Sequence, residues 1–439
     1  MTSTRERRLI VISYHHATDE SIGGMRWAGL TRYLGDYGWK SWVVTAAPPA
    51  RTSGENPIVV SCPRRRTLND AYRALRSRHA GSDATTGDDA SPVPSSGGGG
   101  TWDRLRLEAG ALLSIPDAAR GWILRAASRA RRLIAEVKPD TVVSTGPPHS
   151  AHVAGWLATR ATRVPWLADL RDPWAGPNTS AWQAWPEHRS TIWQHSLELL
   201  ERLVFAGAAG VVCNTKEFRA ALEDAYRGIA VHWVPNGVDR ALLPPRSSDR
   251  FPGLSVAYVG TLYGGRTMSP VLRALRAILD RGGDNGPHGL TLRVAGSIGP
   301  EALATLRQDI EALALQDHVE MLGALTRADA LSLSGRSSIA IVLAQGQQLQ
   351  VPAKLYELVA MGIPTVAIAE LGSATHQEAR RVGAMAVSPD DPLALSDMMV
   401  SALRGNAPRP DAELVDYGHL ARDMHTLLAG LERERGTAA

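Results

Sequence analysis

The sequence predicts an α/β protein of two Rossmann-like, doubly wound domains that face a cleft. Three observations carry that prediction. Short apolar runs alternate with segments at helical spacing along the chain, which implies parallel sheets with right-handed crossovers. In each half the first strand meets glycines just before a helix, at Gly23-Gly24 and again from Gly260 to Gly265. At 439 residues the chain is long for one hydrophobic core, so two domains are expected.

In order, residues 8–13 (RLIVIS) form the opening strand. A loop over 14–24 ends Ile22-Gly23-Gly24, and a helix then runs to about residue 36, stopping near Gly38. Glycines there let backbone approach a ligand, although tight-turn packing explains them nearly as well. Arg26 and Arg32 lie on this helix, and residues 42–45 and 58–62 read as the next strands. From about 77 to 100 the composition shifts sharply and ends DDASPVPSSGGGG, which predicts a disordered insertion inside the first domain. Residues 115–137 read as an amphipathic helix. One stripe holds Trp122, Ala126, Ala130, Leu133 and Val137, and another holds Arg125, Arg129 and Arg132. The basic stripe would suit a membrane surface bearing a lipid-linked acceptor, but a solvated face of a packed helix is the simpler account.

A strand at 140–145 leads into Gly146-Pro147-Pro148-His149 and a helix from about Ser150. The strand at 166–170 ends in Arg171-Asp172-Pro173-Trp174. Polar residues at the carboxyl ends of parallel strands are where doubly wound folds bind ligands; a salt-bridge knot of Asp169, Arg171 and Asp172 is the structural alternative. A helix over 187–206, strands at 210–214 and 231–234, and the turn Pro235-Asn236-Gly237-Val238-Asp239 complete the first domain, taken as 1–240. Residues 242–253, with three prolines, read as the linker.

The second domain, 253–410, opens with a strand at 254–259, the loop Gly260-Thr261-Leu262-Tyr263-Gly264-Gly265-Arg266 and a helix at 269–279. Strands follow near 290–295, 319–322, 339–343 and 365–368, and a last helix at about 419–432, in a segment 411–439, crosses back to the first domain. Before the 365–368 strand lies VPAKLYELVAMGIP, residues 351–364. Pro352 suits a helix start, Leu355, Leu358 and Val359 share one face, and Gly362 and Pro364 stop the helix. Lys354 and Glu357, three apart, are expected on the exposed side, neither facing the core. A helix N-terminus with a lysine suits a phosphate, and a carboxylate one turn in suits two ribose hydroxyls. An ordinary surface ion pair worth about 0.2–0.5 kcal/mol explains the same two residues.

Hydrophobic content of 44% and charged content of 21% are those of a soluble globular protein. A net charge of +4 is too small to point to nucleic acid. Cys62 and Cys213 are isolated thiols without metal-ligand spacing, which suits a reducing cytoplasm. The start RERRLIVISYHH passes from charge straight into a strand, without a signal-peptide pattern, and no apolar run approaches the roughly 18 residues of a membrane span. A cytoplasmic protein is expected, with membrane contact, if any, peripheral. No Asp-x-Asp metal pattern is present.

The pattern of Pro352, Lys354, Tyr356, Glu357, Ala360, Gly362 and Pro364 resembles the donor-site helix of family-4 retaining glycosyltransferases, the GT-B, group 1 type found in bacterial surface-polysaccharide and secondary-metabolite pathways. PDTVVSTGPPHSAH (139–152), VPWLADLRDPW (164–174) and the turn at 235–239 resemble the amino-terminal domain of the same enzymes. The resemblance implies a GT-B fold and transfer of a sugar from a UDP- or GDP-linked donor to a hydroxyl acceptor, a lipid-linked glycan or a small-molecule aglycone. It implies retention at the anomeric carbon, with no metal and no other cofactor. Glu357 would hold the ribose, while Gly260, Thr261, Arg266, Lys354 and Leu355 line the donor. Arg266 and Lys354 would neutralise the leaving diphosphate. Gly23, Gly24, Arg26, His149, Arg171 and Asp172 would hold the acceptor, with Asp172 joining Arg266 and Lys354 in catalysis. The chain departs from the pattern at three places: Leu349 stands where the upstream glutamate of the donor motif belongs, Thr261 where an arginine follows the first loop glycine, and Arg171-Asp172 where many members carry a histidine. An epimerase of the same fold and a nucleotide-sugar-binding protein without turnover are the rival readings.

Overall fold

Near-continuous apolar strands, buried on both faces, build the centre of each sheet, as parallel sheets covered by helices require, while the edge strands Ile58–Ser61 and Val319–Gly323 are half-buried and largely exposed, respectively. In the computed structural model the described residues are 5–16, 22–48, 56–67, 70, 114–175, 191–262, 265–282 and 289–437. The insertion expected at 77–100 lies outside them. The chain divides into two compact units: Met1–Asn214, Arg219–Val234 and Ala421–Ala439 make the first, Thr215–Phe218 and Pro235–Leu420 the second.

The first unit runs β1 (Arg7–Ser13), α1 (Ile22–Leu34), β2 (Trp39–Thr45), β3 (Ile58–Ser61), α2 (Ile123–Val137), β4 (Thr141–Gly146), α3 (Ser150–Thr159), β5 (Trp166–Leu170), α4 (Thr191–Phe205), β6 (Gly210–Cys213), α5 (Lys216–Ala225) and β7 (Val231–Trp233). Its seven strands are parallel in the order β3-β2-β1-β4-β5-β6-β7, with Ile10 of β1 paired to Trp42 on one side and Val142 on the other. The α-helix expected over 115–137 begins only at Ile123, after a 3₁₀ turn at Arg120–Trp122. In that turn Gly121 lies against the Arg65 carbonyl, 2.2 Å from where a Cβ would stand. Trp122, Ala126, Ala130 and Leu133 form the buried face of α2, as their spacing predicts.

The second unit runs β8 (Ser255–Val259), α6 (Ser269–Gly282), β9 (Thr291–Ala295), α7 (Pro300–Ala312), β10 (Val319–Gly323), α8 (Arg327–Arg336), β11 (Ile339–Leu343), α9 (Ala353–Ala360), β12 (Thr365–Ile368), α10 (Ala374–Arg381), β13 (Met385–Val387) and α11 (Pro392–Leu403). The strand order is β10-β9-β8-β11-β12-β13, again parallel. Strand β13, three residues long, has no counterpart in the sequence reading, because so short a run carries no usable period. α9 buries Leu355, Leu358 and Val359 against Val342 and Ala367 of β11 and β12. The strand order reverses between β8 and β11, which makes this the switch point of the sheet, the place where doubly wound folds bind ligands. The last helix, α12 (Tyr417–Thr437), starts in the second unit and belongs to the first from Ala421 on. Among the described residues no helix is long and apolar enough to cross a membrane.

Candidate active site

The switch point of the second unit gathers the loops after β8, β11 and β12. Pro352 is the N-cap of α9, with φ −58° and ψ 130°, and no side chain caps the helix's first turn. Leu355 is a core residue whose N–H is committed to the Pro352 carbonyl at 3.0 Å, so its expected place on the donor surface is corrected. Glu357 corrects the reading further. It was expected on the exposed side, yet it is only 6% exposed. The reason is a second helix: α8 begins with Arg327, whose guanidinium donates to Glu357 Oε1, while Lys354 Nζ donates to Oε2 at 2.9 Å. The carboxylate is enclosed, but its two cations reach solvent, with 27% of the Lys354 and 42% of the Arg327 side chain exposed.

Around this helix the loops are tied together by polar side chains. Gln345, at the end of β11, donates from Nε2 to the Thr267 carbonyl at 2.9 Å and accepts from the Thr267 N–H at 3.3 Å. That amide clamp fixes the loop that carries Gly260, Thr261 and Arg266. Tyr263 and Gly264 of the same loop lie outside the described residues. Gly260 follows β8 directly; its N–H donates to the Ala295 carbonyl at 2.9 Å. Thr261 is exposed, its carbonyl accepting from the Tyr258 hydroxyl at 3.3 Å, and Arg266 is half-buried. Glu370, after β12, accepts from the Gly346 N–H at 2.9 Å, and its other oxygen is buried with no hydrogen-bond partner among the described residues. Arg327, Gln345 and Glu370 escaped the sequence reading. Only the position of Gln345 and Glu370 just past buried strands pointed to them.

In the first unit, Gly23, Arg171 and His149 come together around Gly146. Arg171 donates from its N–H and Nε to the Gly146 carbonyl at 3.0 and 3.2 Å, and from Nη2 to the Pro147 carbonyl. Its guanidinium lies against Gly23 of α1, where a Cβ would come within 3.1 Å of Nη1. Gly24 is pinned more tightly, 2.4 Å from the His16 carbonyl carbon at the Cβ position. On the other side of Gly146 lie His152 Nε2 and His149 Nδ1, both buried without a hydrogen-bond partner among the described residues. Burial, the His152 charge and the Arg171 charge push His149 well below its ordinary value. Burial also takes His152 down to about 3, with Asp169 opposing and Arg171 adding. Both rings are neutral near pH 7. The His149 ring stacks on Trp174 at 5.2 Å and 8°. Asp172 is half-buried beside Arg171.

Arg26 does not join this cluster, contrary to expectation. It is 1% exposed and grips Asp169 with Nε and Nη2, at 3.0 to 3.2 Å. Trp27 Nε1 and the Thr145 hydroxyl also donate to Asp169, each at 2.8 Å. Burial pushes the Asp169 carboxyl up, but the Arg26 charge and these hydrogen bonds outweigh it and hold it below its ordinary value. The expected knot of Asp169, Arg171 and Asp172 is replaced by a buried pair in which Arg26 is the cation of Asp169. Nearby, the N-terminus of α3 is capped from a distance: Asp117 accepts from the Ser150 N–H at 2.8 Å and from the Ser150 hydroxyl at 2.6 Å.

Two units, each built on a parallel sheet whose strand order reverses once, define a two-domain doubly wound α/β protein. Residues 64–237 match the family of glycosyl transferase 4-like domains, and residues 253–405 match glycosyl transferases group 1. The chain therefore carries the paired domains of a group 1 glycosyltransferase with the GT-B fold. Among solved structures it is similar to sucrose-phosphate synthase from Thermosynechococcus elongatus, at 14% identity over 98% of both chains, with a TM-score of 0.56. A putative UDP-N-acetylglucosamine 2-epimerase from Listeria monocytogenes is similar at 13% identity, over 98% of this chain and 97% of that one, with a TM-score of 0.51. HepE from Anabaena, solved with UDP and glucose, is similar at 14% identity, over 98% of this chain and 99% of that one, with a TM-score of 0.50. At such identities the likeness concerns the fold alone. No curated protein sequence matches the chain.

Proposed function

We propose that the protein transfers a sugar from a UDP- or GDP-linked donor to a hydroxyl acceptor, with retention at the anomeric carbon and without a metal. The observation that carries this reading is the Lys354–Glu357–Arg327 constellation at the first turn of α9. A carboxylate has about four lone-pair sites, so two cations leave Glu357 able to accept the two hydroxyls of a ribose. Lys354, Arg266 and the uncapped N–H groups of α9 supply positive charge where a diphosphate leaves, a role other enzymes give to a divalent cation. Gly260 and Thr261 complete the donor surface. Gly23, Gly24, His149, Arg171 and Asp172 of the first unit hold the acceptor, with Asp172 next to the reaction; Arg26 supports them from the core. The acceptor class is a lipid-linked glycan or a small aglycone, met in the cytoplasm or at a membrane surface. The two glycosyltransferase domain matches support transfer over the rival readings.

The test is incubation of the full chain with UDP- and GDP-sugars, with and without hydroxyl acceptors and with EDTA. Expected is nucleotide release that depends on acceptor and survives EDTA, with product configuration at the anomeric carbon matching the donor by NMR. Nucleotide binding without release would instead favour the binding protein, and a changed sugar would favour the epimerase.

A further inference from the structure

We propose that Arg327 is a positioning residue of the donor site: it holds the Glu357 carboxylate in place so that Lys354 can turn to the diphosphate. The inference rests on the donor-site reading above and gives Arg327, which that reading leaves without a role of its own, a specific one. Glu357 is nearly enclosed, and both of its oxygens are taken, one by each cation. The two cations are not equivalent. Lys354 sits three residues before Glu357 on the same helix, beside the uncapped first turn, on a flexible stem that can swing to a phosphate. Arg327 comes from the first turn of α8, and its planar guanidinium is fixed by a different backbone.

If Lys354 were the sole counter-ion, its move to a diphosphate would strand a buried carboxylate, which is strongly unfavourable. The donor would then have to compete with Glu357 for the same ammonium. Arg327 removes that competition. One cation stays with the carboxylate and one is released, so a single helix turn serves ribose and diphosphate together. Arg327 therefore acts through Glu357 and Lys354, without touching the reacting atoms.

The test uses the full chain, titrated by calorimetry with UDP and with GDP. Whichever nucleotide the parent binds, Arg327→Ala should weaken it about tenfold, equal to 1.4 kcal/mol. Arg327→Lys should recover most of that loss. The loss should be larger for the diphosphate than for the monophosphate of the same nucleoside, because Lys354 is withheld from the second phosphate. In the Glu357→Gln background the Arg327→Ala effect should vanish, since the charge it serves is gone. A folded Arg327→Ala protein that binds like the parent overturns the proposal, and so does a loss that adds in full to that of Glu357→Gln. Should Arg327→Ala fail to fold, Arg327→Gln keeps the side-chain length and is read the same way. A parent protein that binds neither nucleotide fails the donor-site reading itself, a result distinct from any of these.

Discussion

Asp169 and Glu357 are both carboxylates beyond reach of bulk water, both gripped by arginine, and yet they are different devices. Asp169 is closed on all sides: its cation Arg26 is as buried as it is, and Trp27 and Thr145 fill the remaining positions. Glu357 is closed only from below, because its cations Lys354 and Arg327 extend into solvent. The exposure of the counter-ions separates a sealed pair from one that a ligand could reach. A charge pair in a sequence motif says little until that exposure is known.

The largest expected effect breaks the sealed pair. Asp169→Asn leaves Arg26 charged in the core and should cost about 3–5 kcal/mol of stability in denaturant melts. A loss under about 1 kcal/mol would mean water reaches Arg26 and the contrast with Glu357 is one of degree.

Glu201 of α4 sharpens the same contrast from the other side. It is 3% exposed, and among the described residues no arginine grips it as Arg26 grips Asp169. Burial pushes its carboxyl up to about 7, Glu198 adding, while the Tyr226 hydrogen bond, Arg202 and the Ala175 N–H oppose. Because the folded value lies above the ordinary 4.5, this contribution to stability is complete below about pH 4.5 and is lost as pH rises to about 7. The loss should approach about 3 kcal/mol, read as the difference between parent and Glu201→Gln melts across that range. Taking the difference removes the opposite trend of His149 and His152, which are buried neutral and destabilise the fold as pH falls below their ordinary range. A flat difference curve would show that Glu201 is already ionised in the folded protein.

At the solvent-reaching site the effects should move from stability to binding. Glu357→Gln weakens charge-assisted hydrogen bonds worth about 1.5–3 kcal/mol, so donor affinity should drop by tens-fold. Lys354→Ala should act mainly on kcat, since charge grows on the diphosphate as the sugar departs. Full affinity and turnover in Glu357→Gln would reduce α9 to a packing helix. The smallest effect calibrates the rest: Arg219–Glu223 is an exposed i,i+4 pair at 2.8 Å, and Arg219→Ala should cost about 0.3–0.5 kcal/mol in a thermal melt.

Periodicity was enough to reveal α9 and its order of Lys354 and Glu357, since both lie within one helical turn. The alternating strands likewise exposed the two sheets. What sequence could not supply were partners brought in by the fold. Arg327 meets Glu357 from another helix, and Arg26 meets Asp169 from the far side of a crossover. Neither contact leaves a spacing to read. The same holds for Gln345, whose clamp on Thr267 depends on β8 and β11 becoming neighbours despite lying far apart in the chain. Leu355 shows the converse error: a residue inside a functional motif can belong wholly to the core.

The Asp117 cap on α3 has a bearing on which chemical groups each unit can receive. A helix start attracts anions, and in the first unit the chain has supplied its own, a carboxylate fastened to Ser150. A phosphate arriving there would find the Ser150 N–H and hydroxyl already engaged by the Asp117 carboxyl group. In the second unit α9 begins at a proline with no such resident. The two helix starts are therefore not interchangeable: the one at Ser150 is filled by the chain's own side chain, and the one at Ala353 is not capped by its proline.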